Sequence, residues 1–146
     1  MFELVVQHEI DAGHRLREHK GMCRNVHGHH YVFKVYLRSR TLDEQGFVVD
    51  FKVVKDSLKR FLDEHFDHAF LFEEGDPIGE YIASQGFKVY RLPYPPTAEN
   101  LALTVYQHLT QTLTLKGVDI VKVECWETPT SGASVVSEQI EWTKSS

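Results

Sequence analysis

The sequence has little cysteine, two residues in 146. Two thiols make no disulfide framework, which excludes the small stapled scaffolds of secreted proteins and points to a reducing compartment. Positive charge is also in deficit: 16 Lys and Arg stand against 21 Asp and Glu, a net charge of -5. A general nucleic-acid binder needs a cationic face, so that class is set aside. No window approaches the ~18 consecutive apolar residues of a membrane span. The start, Met1-Phe2-Glu3-Leu4, has neither the basic n-region nor the apolar h-region of a secretory signal. The last residues, Trp142 to Ser146, carry no lipidation signal. Internal repeats and low-complexity tracts are missing too. These absences lead to the expectation of a cytoplasmic protein with no membrane and no nucleic-acid partner.

What is present suits a globular domain. Apolar residues make up 42% and charged residues 25% of the chain, near the globular average. A chain of this size buries roughly 68–70% of its unfolded surface, enough for a core without staples. One domain over residues 1–146 is expected. Four of the five prolines fall between Glu73 and Thr97, a stretch too short to link a second domain.

Periodicity sets the elements. Phe2, Leu4, Val6, His8, Ile10, Ala12 and His14 share one parity, as do Tyr31, Phe33, Val35 and Leu37; both runs predict half-buried strands. Asp50 is a helix N-cap, and Phe51, Val54, Leu58, Phe61 and Leu62 follow at helical spacing, predicting a helix to about His65. Thr97 caps the next helix, with Glu99 in its first turn, Leu101, Val105 and Leu109 as its apolar stripe, and Lys116-Gly117 as its stop. Phe87–Leu92 is a short strand candidate. Val118–Glu127 alternates again, and a loop containing Thr130-Ser131-Gly132 leads to a last strand near Val135–Thr143. The order strand, strand, helix, helix, strand, strand predicts an α+β fold with helices on one face of an antiparallel sheet.

Nine histidines are the compositional oddity. His27-Gly28-His29 starts a strand, where residues two apart point to one face, so both imidazoles can reach one metal. His14, ending the first strand, can add a third. Three histidines leave a fourth position open, the pattern of catalytic zinc; three separate surface histidines are the plain alternative. Cys23, four residues before His27, is a metal ligand, a base beside the metal, or an inert thiol. Cys125, on the apolar side of its strand, reads as packing. Asp67-His68 after the first helix pairs a carboxylate with an imidazole whose tautomer it can fix, or is a surface turn. Glu127, closing an apolar strand, can accept paired N–H bonds from a guanidine-like ring edge, or face solvent. His8, His19, His30, His65 and His108 read as structural or surface residues.

Taken in order, these pieces resemble the 6-pyruvoyltetrahydropterin synthase / 6-carboxytetrahydropterin synthase family. The resemblance rests on D-A-G-H-R-L around His14, C-R-N-V-H-G-H-H-Y from Cys23 to Tyr31, and G-F-V-V-D-F before the first helix. F-D-H at 66–68, P-T-A-E-N at 96–100 and E-T at 127–128 complete the set, which spans about residues 3–142. The resemblance implies the tunnelling fold (T-fold): a four-stranded antiparallel sheet with two helices packed on one face, subunits joining their sheets into a barrel. It implies a homohexamer, a dimer of trimers, with active sites between subunits. It also implies that His14, His27 and His29 hold Zn2+, that Cys23 is the catalytic thiol, and that Asp67 and His68 relay protons. Glu127 is then the substrate-binding anchor of a pterin ring, and Thr97 and Glu99 help line the site.

Three residues separate Cys23 from His27, a spacing similar to that of bacterial 6-carboxytetrahydropterin synthases of the queuosine (7-deazaguanine) pathway. The implied substrate is 7,8-dihydroneopterin triphosphate. The implied products are 6-carboxy-5,6,7,8-tetrahydropterin, acetaldehyde and triphosphate. The alternatives are 6-pyruvoyltetrahydropterin synthase, which keeps the side chain, and a non-catalytic zinc- or pterin-binding protein.

The chain departs from the family pattern in places. Ala12-Gly13 replaces the usual small pair, Ala69-Phe70-Leu71-Phe72 follows Asp67-His68 in place of a Leu-Asn ending, and no aromatic follows the motif at Glu127. The Gly75–Tyr94 connection is long, and either covers the site or decorates the surface. Lys20, Arg24 and Arg15 lie near the motifs, as phosphate contacts or as plain surface charge.

Overall fold

A computed structural model describes residues 1–138 of the chain. Its elements run β1 (Phe2–His14), β2 (His27–Ser39), α1 (Phe51–Phe61), β3 (Phe70–Glu73), α2 (Pro77–Ser84), β4 (Val89–Leu92), α3 (Ala98–Thr112), β5 (Asp119–Thr128) and β6 (Ser131–Val136). The strands form one sheet in the order β4-β3-β1-β2-β5-β6. The pairs β1/β2, β2/β5 and β5/β6 are antiparallel, while β1/β3 and β3/β4 are parallel. The expected four antiparallel strands are therefore the middle and one flank of a six-stranded mixed sheet. Helices number three among the described residues, where two were expected.

The additions have separate causes. Ala69, Phe70, Leu71 and Phe72 are all buried, so β3 shows no alternation; parallel strands covered on both faces read as short apolar runs. In α2 the cap, not the periodicity, is the signal. Asp76 accepts from Ile78 N–H at 3.0 Å, and Pro77 takes the first helical position, where its missing N–H costs nothing.

The other elements follow the sequence more closely. Asp50 caps α1 by accepting from Lys52 N–H at 2.9 Å. After Phe61 the helix widens into a π turn over Leu62–Phe66, closed by Asp67 N–H to Leu62 C=O at 2.8 Å. The expected helix to His65 thus has the right extent but two hydrogen-bond patterns. Thr97 caps α3, accepting from Asn100 N–H at 3.2 Å. That helix ends at Thr112 rather than at Lys116-Gly117, and Gly117, with φ of 73°, instead turns the chain into β5. The last hairpin turns at Pro129-Thr130, so Ser131 and Gly132 already belong to β6, which begins earlier than Val135. The expected extension of that strand to Thr143 lies outside the described residues.

The core lies between the sheet and α1 and α3. Leu4, Val6, Ile10 and Ala12 of β1, Tyr31, Phe33, Val35 and Leu37 of β2, and Val123 and Cys125 of β5 meet Val54, Leu58, Phe61, Leu101, Val105 and Leu109. Each large apolar side chain removed from water contributes roughly 1.5–3 kcal/mol. No described helix is long and apolar enough to cross a membrane.

Candidate metal centre

The β1/β2 register sets His14 opposite His27, Gly13 opposite Gly28, and Ala12 opposite His29. All three histidines take the parity of the core residues, so strand alternation turns their rings to the helix-covered face at one end of the sheet. Ligand atoms of His14, His27 and His29 lie within 4.8 Å of one another. Tyr31, fully buried, forms the floor beneath them, its ring edge-on to His14 at 5.9 Å and to His29 at 5.5 Å.

Backbone carbonyls fix two of the rings. His14 Nδ1 is 2.8 Å from Pro96 C=O, and His27 Nδ1 is 2.7 Å from Asn25 C=O. A carbonyl only accepts, so both Nδ1 atoms carry a proton, and in the neutral form each ring offers its lone pair at Nε2. Those Nε2 atoms face each other at 3.0 Å. Burial, and behind it the charges of His27 and His29, outweighs the Pro96 bond and lowers the His14 pKa to about 4. His14 is therefore neutral at physiological pH, as a metal ligand must be. Two lone pairs at this separation repel unless an electropositive atom lies between them. A divalent cation that favours imidazole satisfies both, with His29 as a third donor. The donor set fits zinc, and Nδ1–H donation to a carbonyl is the usual way a ligating histidine is oriented.

Around the triad the sequence candidates separate into groups. Glu127 is close: its Oε2 lies 3.7 Å from His29 Nε2. With His29, Lys34 and Trp126 it lines an open depression of about 730 Å3. Cys23 sits half-buried in a short helical turn, Met22–Arg24, and its carbonyl accepts from Leu16 N–H at 2.8 Å. Thr97 spends its hydroxyl oxygen as the α3 cap, and Glu99 is exposed in that helix's first turn.

Asp67 and His68 form a pair of their own. His68 Nδ1 is 3.0 Å from Asp67 Oδ2, and Asp67 Oδ1 accepts from Asp11 N–H at 3.1 Å. Desolvation pushes the Asp67 carboxyl up, but the Asp11 N–H and His68 outweigh it and hold the group below the usual carboxylate range. His68 has a φ of 59° and a side chain 78% exposed. Its N–H is pinned to Asp11 C=O at 2.7 Å. Among the described residues, no hydrogen bond or ion pair joins this dyad to the triad or to Cys23 within one copy of the chain.

Cys125 behaves as the packing residue its parity suggested. Burial pushes its thiol well up, and the charges of Glu127 and Glu99 add to the effect. The remaining histidines also have structural duties. His8 pairs with Asp63 at 2.8 Å, His30 with Asp11 at 2.8 Å, and His65 and His108 flank Phe61 at 5.0 and 4.3 Å. His19 accepts from Gly21 N–H at 2.8 Å. Sequence patterning missed the two orienting carbonyls, because any residue supplies a carbonyl. Only the position of Pro96 inside P-T-A-E-N was a signal.

Comparison with known proteins finds relatives of the whole domain. The family described as 6-pyruvoyl tetrahydropterin synthase matches residues 3–138. A 6-carboxy-5,6,7,8-tetrahydropterin synthase of Rickettsia bellii is 47% identical over 97 residues, 65% of this chain and 70% of that protein. The protein of the same name from Rickettsia conorii is 35% identical over 124 residues, 83% of this chain and 90% of its own length. The structure of Caenorhabditis elegans 6-pyruvoyl tetrahydropterin synthase superposes with a TM-score of 0.70 at 26% identity, covering 94% of this chain and 96% of that one.

Proposed function

Because the chain belongs to the 6-pyruvoyl tetrahydropterin synthase family, we propose that it is a zinc-dependent lyase of the 6-carboxytetrahydropterin synthase type. It converts 7,8-dihydroneopterin triphosphate and one water to 6-carboxy-5,6,7,8-tetrahydropterin, acetaldehyde and triphosphate, on the way to 7-deazaguanine and queuosine. The observation that carries this reading is the facing Nε2 pair of His14 and His27, 3.0 Å apart, with Glu127 close to His29.

His14, His27 and His29 would hold the zinc. Once bound, the metal supplies Lewis acidity to the oxygens of the substrate side chain. Glu127 accepts paired N–H bonds from the pterin edge and turns binding energy into orientation. Cys23, as thiolate, takes a side-chain proton, and Asp67 with His68 supplies or accepts the next one. Asp67 fixes the imidazole by its 3.0 Å contact with Nδ1, which leaves Nε2 as the exchanging atom. Thr97 and Glu99 would help line the site from the start of α3, where the Thr97 cap follows Pro96, whose carbonyl orients His14.

An active site between subunits of a cytoplasmic hexamer fits the exposure of His68. The dyad, unconnected to the triad of its own chain, is free to serve a neighbouring one.

Incubating the purified protein with 7,8-dihydroneopterin triphosphate tests the proposal. Release of acetaldehyde with a carboxypterin is expected. A pyruvoyl product assigns the 6-pyruvoyltetrahydropterin synthase reaction instead, and binding without turnover assigns a pterin carrier.

A further inference from the structure

Three successive carbonyls of the Cys23 loop are captured by residues on or beside the metal-binding strands. Leu16 N–H donates to Cys23 C=O at 2.8 Å. Arg15 Nη1 donates to Arg24 C=O at 3.4 Å. His27 Nδ1 donates to Asn25 C=O at 2.7 Å. Arg15 does more than close this set. Its Nε and Nη2 donate to the two oxygens of Asp76 at 2.7 Å each, a fork-to-fork pair in which Asp76 is 1% exposed. The same Asp76 caps α2 through Ile78 N–H. Gly79 keeps α2 against β3, since a Cβ there would strike the Phe72 ring. One guanidinium therefore joins the residue after His14, the loop carrying Cys23, and the anchored start of α2.

We propose that Arg15 is a positioning residue, a clasp that holds the Cys23 loop at a fixed place beside the histidine triad by bracing it against Asp76. The inference rests on the reading of Cys23 as the reactive thiol. It gives the Gly75–Tyr94 connection a purpose: α2 is a brace behind the thiol loop. It also weakens Arg15 as a candidate for triphosphate binding, because three of its five N–H donors are committed to a carboxylate and a carbonyl, the carboxylate by the forked pair that would otherwise take a phosphate. Lysine cannot replace it, having a point charge and no fork.

The experiment uses the full-length, metal-loaded protein. Asp76→Asn keeps a helix-capping side chain but removes the charge that aligns Arg15. Arg15→Met/Asp76→Asn removes both partners, so that no unpaired buried charge confounds the result. Two quantities are read: alkylation of Cys23 by iodoacetamide, with Cys125 buried and silent, and kcat against KM for dihydroneopterin triphosphate. Both variants should keep the parent metal content and circular dichroism. Cys23 should alkylate at least about fivefold faster, and kcat should fall by about 10- to 10²-fold with KM within about twofold, since misplacing a reacting group by about 1 Å can cost about 10²-fold. Arg15→Lys should lie between parent and variants. Alkylation within about twofold of the parent in both folded variants overturns the clasp, and so does unchanged kcat. Full turnover by Cys23→Ala would instead sink the thiol reading, while the alkylation result would still report on the clasp.

Discussion

His14 Nε2 faces His27 Nε2 across 3.0 Å, and the Nδ1 of each ring is committed to a backbone carbonyl. Neither ring can turn away to relieve the contact without breaking a hydrogen bond. The arrangement suits a cation, and taking one from it would have a cost. Stripping the metal with a chelator should lower the thermal midpoint by several degrees, since a ligand at about a thousand times its Kd stabilises by roughly 4 kcal/mol. His27→Ala should purify with less than about a tenth of the parent zinc, given losses of 10–100-fold in metal affinity even for changes outside the ligand set. Metal analysis and calorimetry measure both.

Cys23→Ser should fold and bind zinc like the parent, because the loop is held by backbone carbonyls and not by the thiol. Its kcat should drop by about 10²–10⁴, the usual range for a lost general base, with stability within about 0.5 kcal/mol. Single-turnover kinetics beside a denaturation curve separates the two effects.

Glu127→Gln keeps the side-chain size but loses one acceptor site and the charge. A hydrogen bond to a charged group contributes about 1.5–3 kcal/mol, so affinity for a reduced pterin should weaken by roughly 10–100-fold. Titration calorimetry with the pterin ring alone tests this without chemistry. Equal affinity would move the anchor elsewhere.

Gly132→Ala places a methyl 2.5 Å from the Trp126 ring. Overpacking of this kind costs about 1–3 kcal/mol. Because Trp126 adjoins Glu127 in the chain, pterin affinity should fall along with urea stability; a variant as stable as the parent would show that the ring can shift freely.

Tyr36 donates to Glu124 Oε1 at 2.7 Å. Burial first, and then that bond and charge, push the phenol from 10.0 up to about 12. The unfolded chain gives up this proton near pH 10.0 while the folded chain keeps it to about 12, so the stabilisation is complete below pH 10.0 and lost as pH rises to about 12. Tyr36→Phe should make the alkaline fall in unfolding free energy over that range shallower. An unchanged slope would place the alkaline transition on other groups.

The sequence was legible where one side chain carried its own signal. Alternation placed β1 and β2, and with them the three histidines on one face. Asp50 and Thr97 marked two helix starts that their hydrogen bonds bear out. It was illegible where the determinant was a partner far along the chain. Phe70–Phe72 became a parallel strand only because β1 and β4 flank it. The orientation of His14 depends on a carbonyl 82 positions away, and Arg15 finds Asp76 across 61. Asp67 and His68 could be foreseen as a dipeptide, but their contact depends on the positive φ at His68 and on the Asp11 strap.

The three ring donors, at positions 14, 27 and 29, all belong to one hairpin. Closing a short loop brings them together at little entropic cost, and such local pairings form early in folding. The ligand set is therefore complete, in order of synthesis, before any helix of the fold has been made. Pro96 reaches His14 only with the second half of the chain. A metal bound by the triad would thus find its donors during growth of the chain, whereas His14 gains its orienting carbonyl only when α3 docks.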